Sequence, residues 1–221
     1  MNWILHFTEP AIYGVQALSG LYGTFLVILL IRTIRQKKFA TSEQADQFLD
    51  EVREKLYQKD FDGVAEICDA PEYWGKTTAQ LVLVALANRD RGPAKVRQLV
   101  ADKFERGVLT DLRHKHAWVA TVTRAAPLLG LLGTVTSMVL AFARLGANSK
   151  EGIDPGKLAG DLSLALQATM LGLWIAVPMT LFGAMIGVRI GRLQDSVQDQ
   201  IGEFLHDLEV VMRTPDHQKA A

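Results

Sequence analysis

Hydroxyl and amide side chains, without a carboxylate, occupy the middle of the most apolar parts of this chain. No Asp, Glu, Lys or His lies in the central part of segments 124–145 and 162–188. The residues there that could do chemistry, as candidates for lining a pore or proton pathway, are Thr134, Ser137, Gln167, Thr169 and Thr180. A hydroxyl or an amide can bind water, but neither carries a proton as a membrane carboxylate does. If protons cross here, we therefore expect another protein to supply the acid.

The same polar residues also fit a packing role, because small residues recur beside them every three or four positions. Small side chains let membrane helices approach closely, and a threonine can also bond back to its own helix. The candidate packing residues are Gly130, Gly133, Gly172, Ala176 and Pro178. Pro178 lacks a backbone donor, which predicts either an ordinary kink or a looser helix beside a cavity. Gln167 lies off the small stripe, and its amide needs partners.

Three apolar stretches have the length that a bilayer requires, at about 11–31, 126–145 and 162–188. Basic residues follow the first stretch, which predicts an uncleaved anchor (domain 1–38) with its N-terminus outside the cytoplasm. The third stretch is also followed by basic residues, which places the C-terminus inside. A short loop, 146–161, joins the second and third spans on the outer side.

A basic cluster is predicted at the cytoplasmic edge of the membrane. Its members are Arg113, Lys115, Arg124, Arg189 and Arg192. Ordinary positive-inside anchoring explains such residues. The sharper alternative is that they hold anionic lipid between subunits.

The polar region 39–123 predicts a small helical domain in the cytoplasm. Thr41 and Gln44 form a possible capping box before a helix. Its predicted buried face comprises Ala45, Phe48, Leu49, Val52 and Leu56. Shorter helices are predicted over 61–67 and 79–87, and another after Pro93. Region 192–221 predicts a long amphipathic extension of the third span, with a seam of Leu193, Val197, Ile201, Leu205, Leu208 and Met212.

Composition excludes several classes of function. The 24 basic and 24 acidic residues balance, which gives no support for a nucleic-acid partner. His114 and His116 point to different faces of a helix, so no metal site is predicted. The single cysteine, Cys68, is predicted to be a buried hydrophobe. No catalytic or cofactor motif is present, so we expect neither an enzyme nor a cofactor.

Two motifs resemble the paired core of the ExbB/TolQ/MotA proton-channel proteins. They are GLLGTV at 130–135 and ALQATMLGLWIAVP at 165–178. An anchor helix, a helical cytoplasmic domain and two core spans with a short outer loop agree with that family. The core similarity covers 124–191. Three spans with the N-terminus outside resemble the ExbB/TolQ branch.

The resemblance implies an all-α, multi-pass protein of the bacterial inner membrane, assembled as a homo-pentamer around a central pore. It implies a partner like ExbD or TolR, whose single span brings a proton-carrying aspartate, and beyond it a TonB- or TolA-like protein. Thr134 and Thr169 match the family's pore threonines and would hydrate the aspartate pathway. ExbB proteins often place a glutamate where this chain has Leu164, so this chain lacks that acid.

Two hypotheses follow. The first is a channel-forming subunit of a proton-driven motor, energising TonB-like transport or Tol-like envelope function. The alternative is a non-conducting membrane scaffold that stabilises a partner complex. The threonines at motif positions favour the first, and the missing pore acid favours the second. The absence of further polar groups in the spans modestly favours protons over sodium.

Overall fold

The computed structural model of the protein describes residues 2–147 and 155–213. Its helices are α1 (Asn2–Lys37), α2 (Ser42–Tyr57), α3 (Phe61–Asp69), α4 (Thr77–Ala87), α5 (Pro93–Phe104), α6 (Thr110–Ala147) and α7 (Pro155–Arg213). A 3-10 turn, Arg89–Arg91, precedes α5, and a π-helical segment, Glu105–Leu109, joins α5 to α6. No strand occurs within the described ranges. The all-α class is confirmed.

Within residues 2–147 and 155–213, three helices are long and apolar enough to cross a membrane, which confirms the predicted number of spans. The protein is therefore a multi-pass membrane protein. Helices α6 and α7 extend into the predicted loop 146–161 from both sides, with Pro155 suited by its fixed φ to begin α7. The centre of that loop, 148–154, and the end of region 192–221 from Thr214 lie outside the described residues.

The chain divides into two compact units, and α1, α6 and α7 contribute to both. Unit 1 comprises Met1–Leu29 and Lys115–Ile186, and unit 2 comprises Leu30–His114 and Gly187–Ala221. Unit 1 exposes many large apolar side chains on its helices, among them Leu18, Leu21, Phe25, Leu128, Phe142, Leu166, Trp174 and Leu181. Such a surface suits lipid or other membrane helices, because water would have to solvate it in a soluble protein.

Unit 2 has a conventional helical core. The predicted face of α2 is buried, with Phe48 and Leu56 fully so. Phe48 packs against Phe39 and Tyr73, at ring-centroid distances of 5.4 and 4.9 Å. The capping-box prediction was wrong in its chemistry: Thr41 is the N-cap of α2, but its side chain makes no capping hydrogen bond. Extended backbone at Thr41 is enough to begin the helix.

The C-terminal half of α7 forms the predicted apolar seam, with one exception. Five of its six predicted members are buried: Leu193, Val197, Ile201, Leu205 and Leu208. Met212 is 41% exposed, because it lies in the last turn of α7. Within the same unit, the Thr78 hydroxyl donates to Gln200 Oε1 at 2.6 Å.

Cys68 is fully buried in unit 2, as predicted. Burial raises the pKa of its thiol to about 12, and the neighbouring Asp69 adds to the effect. The thiol therefore stays protonated at physiological pH and behaves as a small apolar group.

An ion-pair network joins α2 to α7. Arg53 Nε donates to Asp207 Oδ2 at 2.8 Å, and the same guanidinium contacts Glu203 and Asp50. The Asp207 side chain is only 13% exposed. The hydrogen bond that Arg53 donates to Asp207, and next the one that it donates to Glu203, raise the pKa of the Arg53 guanidinium above its ordinary value. Arg53 thus neutralises two carboxylates that lie one turn apart on the same helix.

Removing this guanidinium should destabilise unit 2. We expect Arg53→Met to lower the free energy of unfolding by about 1–2 kcal/mol, because Glu203 and Asp207 would then repel each other without a counter-charge. The exposed pair Arg213–Glu209 is the matched control, and Arg213→Met should cost less than about 0.5 kcal/mol. Thermal unfolding of the purified full chain measures both. Equal shifts in the two variants would show that the network adds nothing beyond a surface pair.

Candidate functional site

Small residues bring the backbones of α6 and α7 close together in unit 1. A β-carbon placed on Gly130 would lie 2.9 Å from the Ala168 carbonyl oxygen, and one on Gly172 would lie 2.6 Å from that of Ala126. One on Gly133 would meet the Ala168 side chain at 2.7 Å. Real β-carbons essentially never approach other atoms this closely, so a side chain at any of the three positions would force its neighbours to shift. We call Gly130, Gly133 and Gly172 the glycine junction. Their close contacts support the packing role that the sequence predicts for these glycines.

Helix α1 inserts a buried amide into this junction. Gln16 is 2% exposed, and its Nε2 donates to the Ala168 carbonyl oxygen at 3.0 Å. β-carbons on Gly130 and Gly172 would lie 3.4 and 3.2 Å from the same nitrogen. The glycines therefore also make room for Gln16. Sequence reasoning missed this residue, although a glutamine inside the first apolar stretch was a signal that could have found it.

The Thr169 hydroxyl bridges the two core helices. Its Oγ1 donates to the Gly130 carbonyl oxygen at 3.1 Å. Thr169 is half-buried, and its oxygen keeps lone pairs with which it can accept a further hydrogen bond. Thr169 and Gln16 thus bond to α6 and α7 within the same junction.

The other predicted hydroxyls behave differently. Thr134 is buried, and its hydroxyl donates to the Leu131 carbonyl of its own helix at 2.7 Å. Thr180 is exposed and donates to the Ala176 carbonyl at 2.8 Å. These are local bonds of the kind expected for membrane threonines. Ser137 is buried and has a partner.

Gln167 is exposed on unit 1, away from the buried positions of α7. Ala176 is buried and Pro178 is half-buried within α7, which runs without interruption through both. The proline is thus accommodated in the helix. The side chain of Leu164 lies outside the described residues.

The predicted basic cluster is divided between the two units. Lys115 and Arg124 belong to unit 1, and Arg113, Arg189 and Arg192 to unit 2. All but the half-buried Lys115 are exposed. Arg113 Nη2 donates to Gln194 Oε1 at 3.2 Å, and Lys115 and Arg189 also have partners. Lipid binding by these residues stays a prediction.

A histidine also links the core helices. His116 Nε2 lies 2.9 Å from the Gly183 carbonyl oxygen, and both residues belong to unit 1.

Two further contacts place α1 against the same pair of helices. β-carbons on Gly20 and Gly23 would meet Ile175 at 3.3 Å and Val122 at 3.1 Å. Unit 1 is therefore a tightly packed three-helix unit.

Comparison with known proteins identifies the family. The model of the MotA/TolQ/ExbB proton channel family matches residues 74–199, more than half of the chain. This chain belongs to that family. The match contains Thr134, Thr169 and the glycine junction, whereas α1 with Gln16 lies outside it. The resemblance seen in the sequence is confirmed, and the family consists of channel and transport-associated proteins.

Named relatives come from both the ExbB and the TolQ branches of the MotA/TolQ/ExbB family. The chain is 44% identical to ExbB-like 2 of Helicobacter pylori over 80 residues, 36% of this chain and 52% of that protein. It is 33% identical to the biopolymer transport protein ExbB of Xanthomonas campestris over 99 residues, 45% of this chain and 37% of that protein. It is 27% identical to the Tol-Pal system protein TolQ of Haemophilus influenzae over 96 residues, 43% of this chain and 41% of that protein. The chain thus spans about half or less of the length of these relatives.

Proposed function

We propose that this chain is the channel-forming subunit of a motor in the bacterial inner membrane, driven by the proton-motive force. It works with a single-span subunit like ExbD or TolR, and through it energises a TonB-like transport or a Tol-like envelope process. Its N-terminus lies outside the cytoplasm and its C-terminus inside. The observation that carries the proposal is the Thr169 hydroxyl, which bridges α6 and α7 within apolar segments that contain no charged side chain.

The chemistry of the spans explains why a partner is required. Segments 11–31, 126–143 and 162–186 contain no Asp, Glu, Lys, Arg or His. Hydroxyls orient water and accept hydrogen bonds, but proton transfer across a membrane normally uses a titrating side chain. A transmembrane aspartate on the partner supplies that group, and Thr169 and Thr134 hydrate its path.

The exposed apolar surface of unit 1 supports assembly around a central pore. Residues on both core helices, such as Leu131, Val135, Met170 and Trp174, are more than half exposed in the single chain. In a homo-pentamer, part of this surface packs against neighbouring subunits, part faces lipid and part surrounds the partner's helix. The pentamer number and the central pore follow from the resemblance to ExbB and TolQ.

Purification from the native membrane tests this proposal. A mild detergent extract of tagged chain should retain a small single-span protein with an aspartate in its membrane helix. Replacing that aspartate with asparagine in the partner should abolish proton flux in vesicles that contain the purified complex. A chain that is recovered reproducibly without such a partner, in several detergents, would contradict the motor.

The alternative is a non-conducting scaffold, and the local bonding of Thr134 and Thr180 favours it. Both hydroxyls donate to carbonyls of their own helices, as threonines with a purely structural role do. Vesicles containing the chain with its partner distinguish the two functions. The scaffold predicts no proton flux above that of empty vesicles, with or without the partner's aspartate.

A further inference from the structure

The amide of Gln16 is only half satisfied. Its Nε2 has the Ala168 carbonyl as acceptor, but no donor among the described residues lies within hydrogen-bond distance of its buried Oε1. Buried polar groups in native proteins are nearly always paired, and an unpaired one therefore needs an explanation. An apolar side chain of the same length would fill this space without the unpaired oxygen. The explanation must therefore lie in what Nε2 does.

The Gln16 amide forms its hydrogen bond next to Thr169, the threonine that bridges α6 and α7. Its acceptor is the carbonyl of Ala168, the residue directly before Thr169. The Thr169 hydroxyl in turn donates to the carbonyl of Gly130, whose missing side chain leaves space for the Gln16 amide. Two hydrogen bonds from side chains, one from α1 and one from α7, therefore fix the same crossing of α6 and α7.

We propose that Gln16 is a positioning residue for Thr169, and that α1 thereby takes part in the proton pathway rather than serving only as an anchor. The Nε2 hydrogen bond to Ala168 sets the height and rotation of α7 at the threonine. This inference rests on the proposed channel function and extends it to a helix that lies outside the family match. Apolar packing alone would hold α1 in place, but it would not fix a particular carbonyl.

Two isosteric replacements test the proposal in vesicles that contain the chain and its co-purified partner. We expect Gln16→Met to lower proton flux about tenfold, which corresponds to the loss of one hydrogen bond at a site that orients the pathway. Recovery of the complex and its thermal stability should be unchanged or improved, because the unpaired oxygen is gone. Val15→Met is the matched control, since Val15 is the exposed neighbour on α1.

Gln16→Glu provides a pH-dependent readout, and recovery of the intact complex at each pH separates it from a merely structural loss. A protonated carboxyl can donate to the Ala168 carbonyl as the amide does, whereas a carboxylate cannot. Flux through Gln16→Glu, divided by wild-type flux at the same pH, should therefore rise as the pH is lowered from about 8 to about 5. The same ratio for Gln16→Met should not change with pH.

The outcomes separate this inference from the channel function. If Thr169→Val abolishes flux but both Gln16 variants conduct normally, the positioning role is wrong and the channel stands. If Gln16→Met loses flux only in proportion to lost protein, and Gln16→Glu shows no pH-dependent ratio, Gln16 is structural and the inference is overturned. If wild-type complex and Thr169→Val conduct equally, the role of Thr169 fails first, and with it the role of Gln16.

Discussion

Thr169→Val should reduce proton flux through the purified complex by about a hundredfold while the complex still assembles. Valine keeps the shape of threonine but cannot donate to Gly130 or accept a hydrogen bond from water or from the partner's aspartate. Membrane side-chain hydrogen bonds contribute only about 0.6 kcal/mol on average, so folding should survive their loss. Flux, measured with a pH-sensitive dye trapped in vesicles, reports the first effect, and recovery of the partner reports the second.

Two control variants make this prediction specific. Thr169→Ser restores the hydroxyl without the methyl group, and should recover most of the flux. Thr180→Val removes an exposed hydroxyl from the same helix, where it donates to the Ala176 carbonyl one turn earlier, and should change flux less than about twofold. Normal flux through Thr169→Val, or equal losses in Thr169→Val and Thr180→Val, would rule out a dedicated role for Thr169.

Gly172→Ala should disrupt unit 1 itself, in contrast to the threonine variants. The added β-carbon would lie 2.6 Å from the Ala126 carbonyl oxygen and 3.2 Å from Gln16 Nε2. The first obstacle is backbone, so α6 and α7 must move apart and cannot relax by a side-chain rotation. We expect a loss of about 1–3 kcal/mol in the free energy of unfolding. A lower thermal midpoint and a lower yield of assembled complex would measure it.

The same helix offers a matched control. A β-carbon on Gly183 would lie 3.8 Å from Val119, an ordinary van der Waals distance. Gly183→Ala should therefore leave the thermal midpoint close to that of the wild type. If both alanine variants behave alike, close backbone approach at Gly172 is not what holds α6 and α7 together.

Much of the fold could be predicted from the sequence, because the length of an apolar segment and its helical periodicity are local properties. The three membrane-length helices are confirmed, and so is the buried face of α2. The amphipathic continuation of α7 is confirmed as far as Leu208. The ends of the helices were harder to predict. Helix α6 begins at Thr110, well before the membrane span that the sequence predicted from about residue 126. A helix continues past an apolar segment wherever its backbone bonds are satisfied, and hydropathy does not report that.

The candidate site could be predicted only in part from the sequence, because hydrogen bonds between helices depend on the angle and register at which the helices cross. The motif residues Thr134 and Thr169 look equivalent in the sequence, yet one bonds locally and the other bridges two helices. The sequence analysis singled out Gln167 as an amide in a membrane segment that needs hydrogen-bond partners, but its side chain is exposed on unit 1. Gln16, which the sequence analysis did not single out although it lies inside an apolar stretch, is the amide that is buried.

Residue type and order alone are enough to predict the family, the number of membrane-length helices and the absence of an acid from the spans. The tertiary structure decided which polar groups meet. A contact between Gln16 and Ala168 joins residues 152 positions apart. It exists only because glycines at 130 and 172 let three backbones come close enough for one amide to reach a carbonyl.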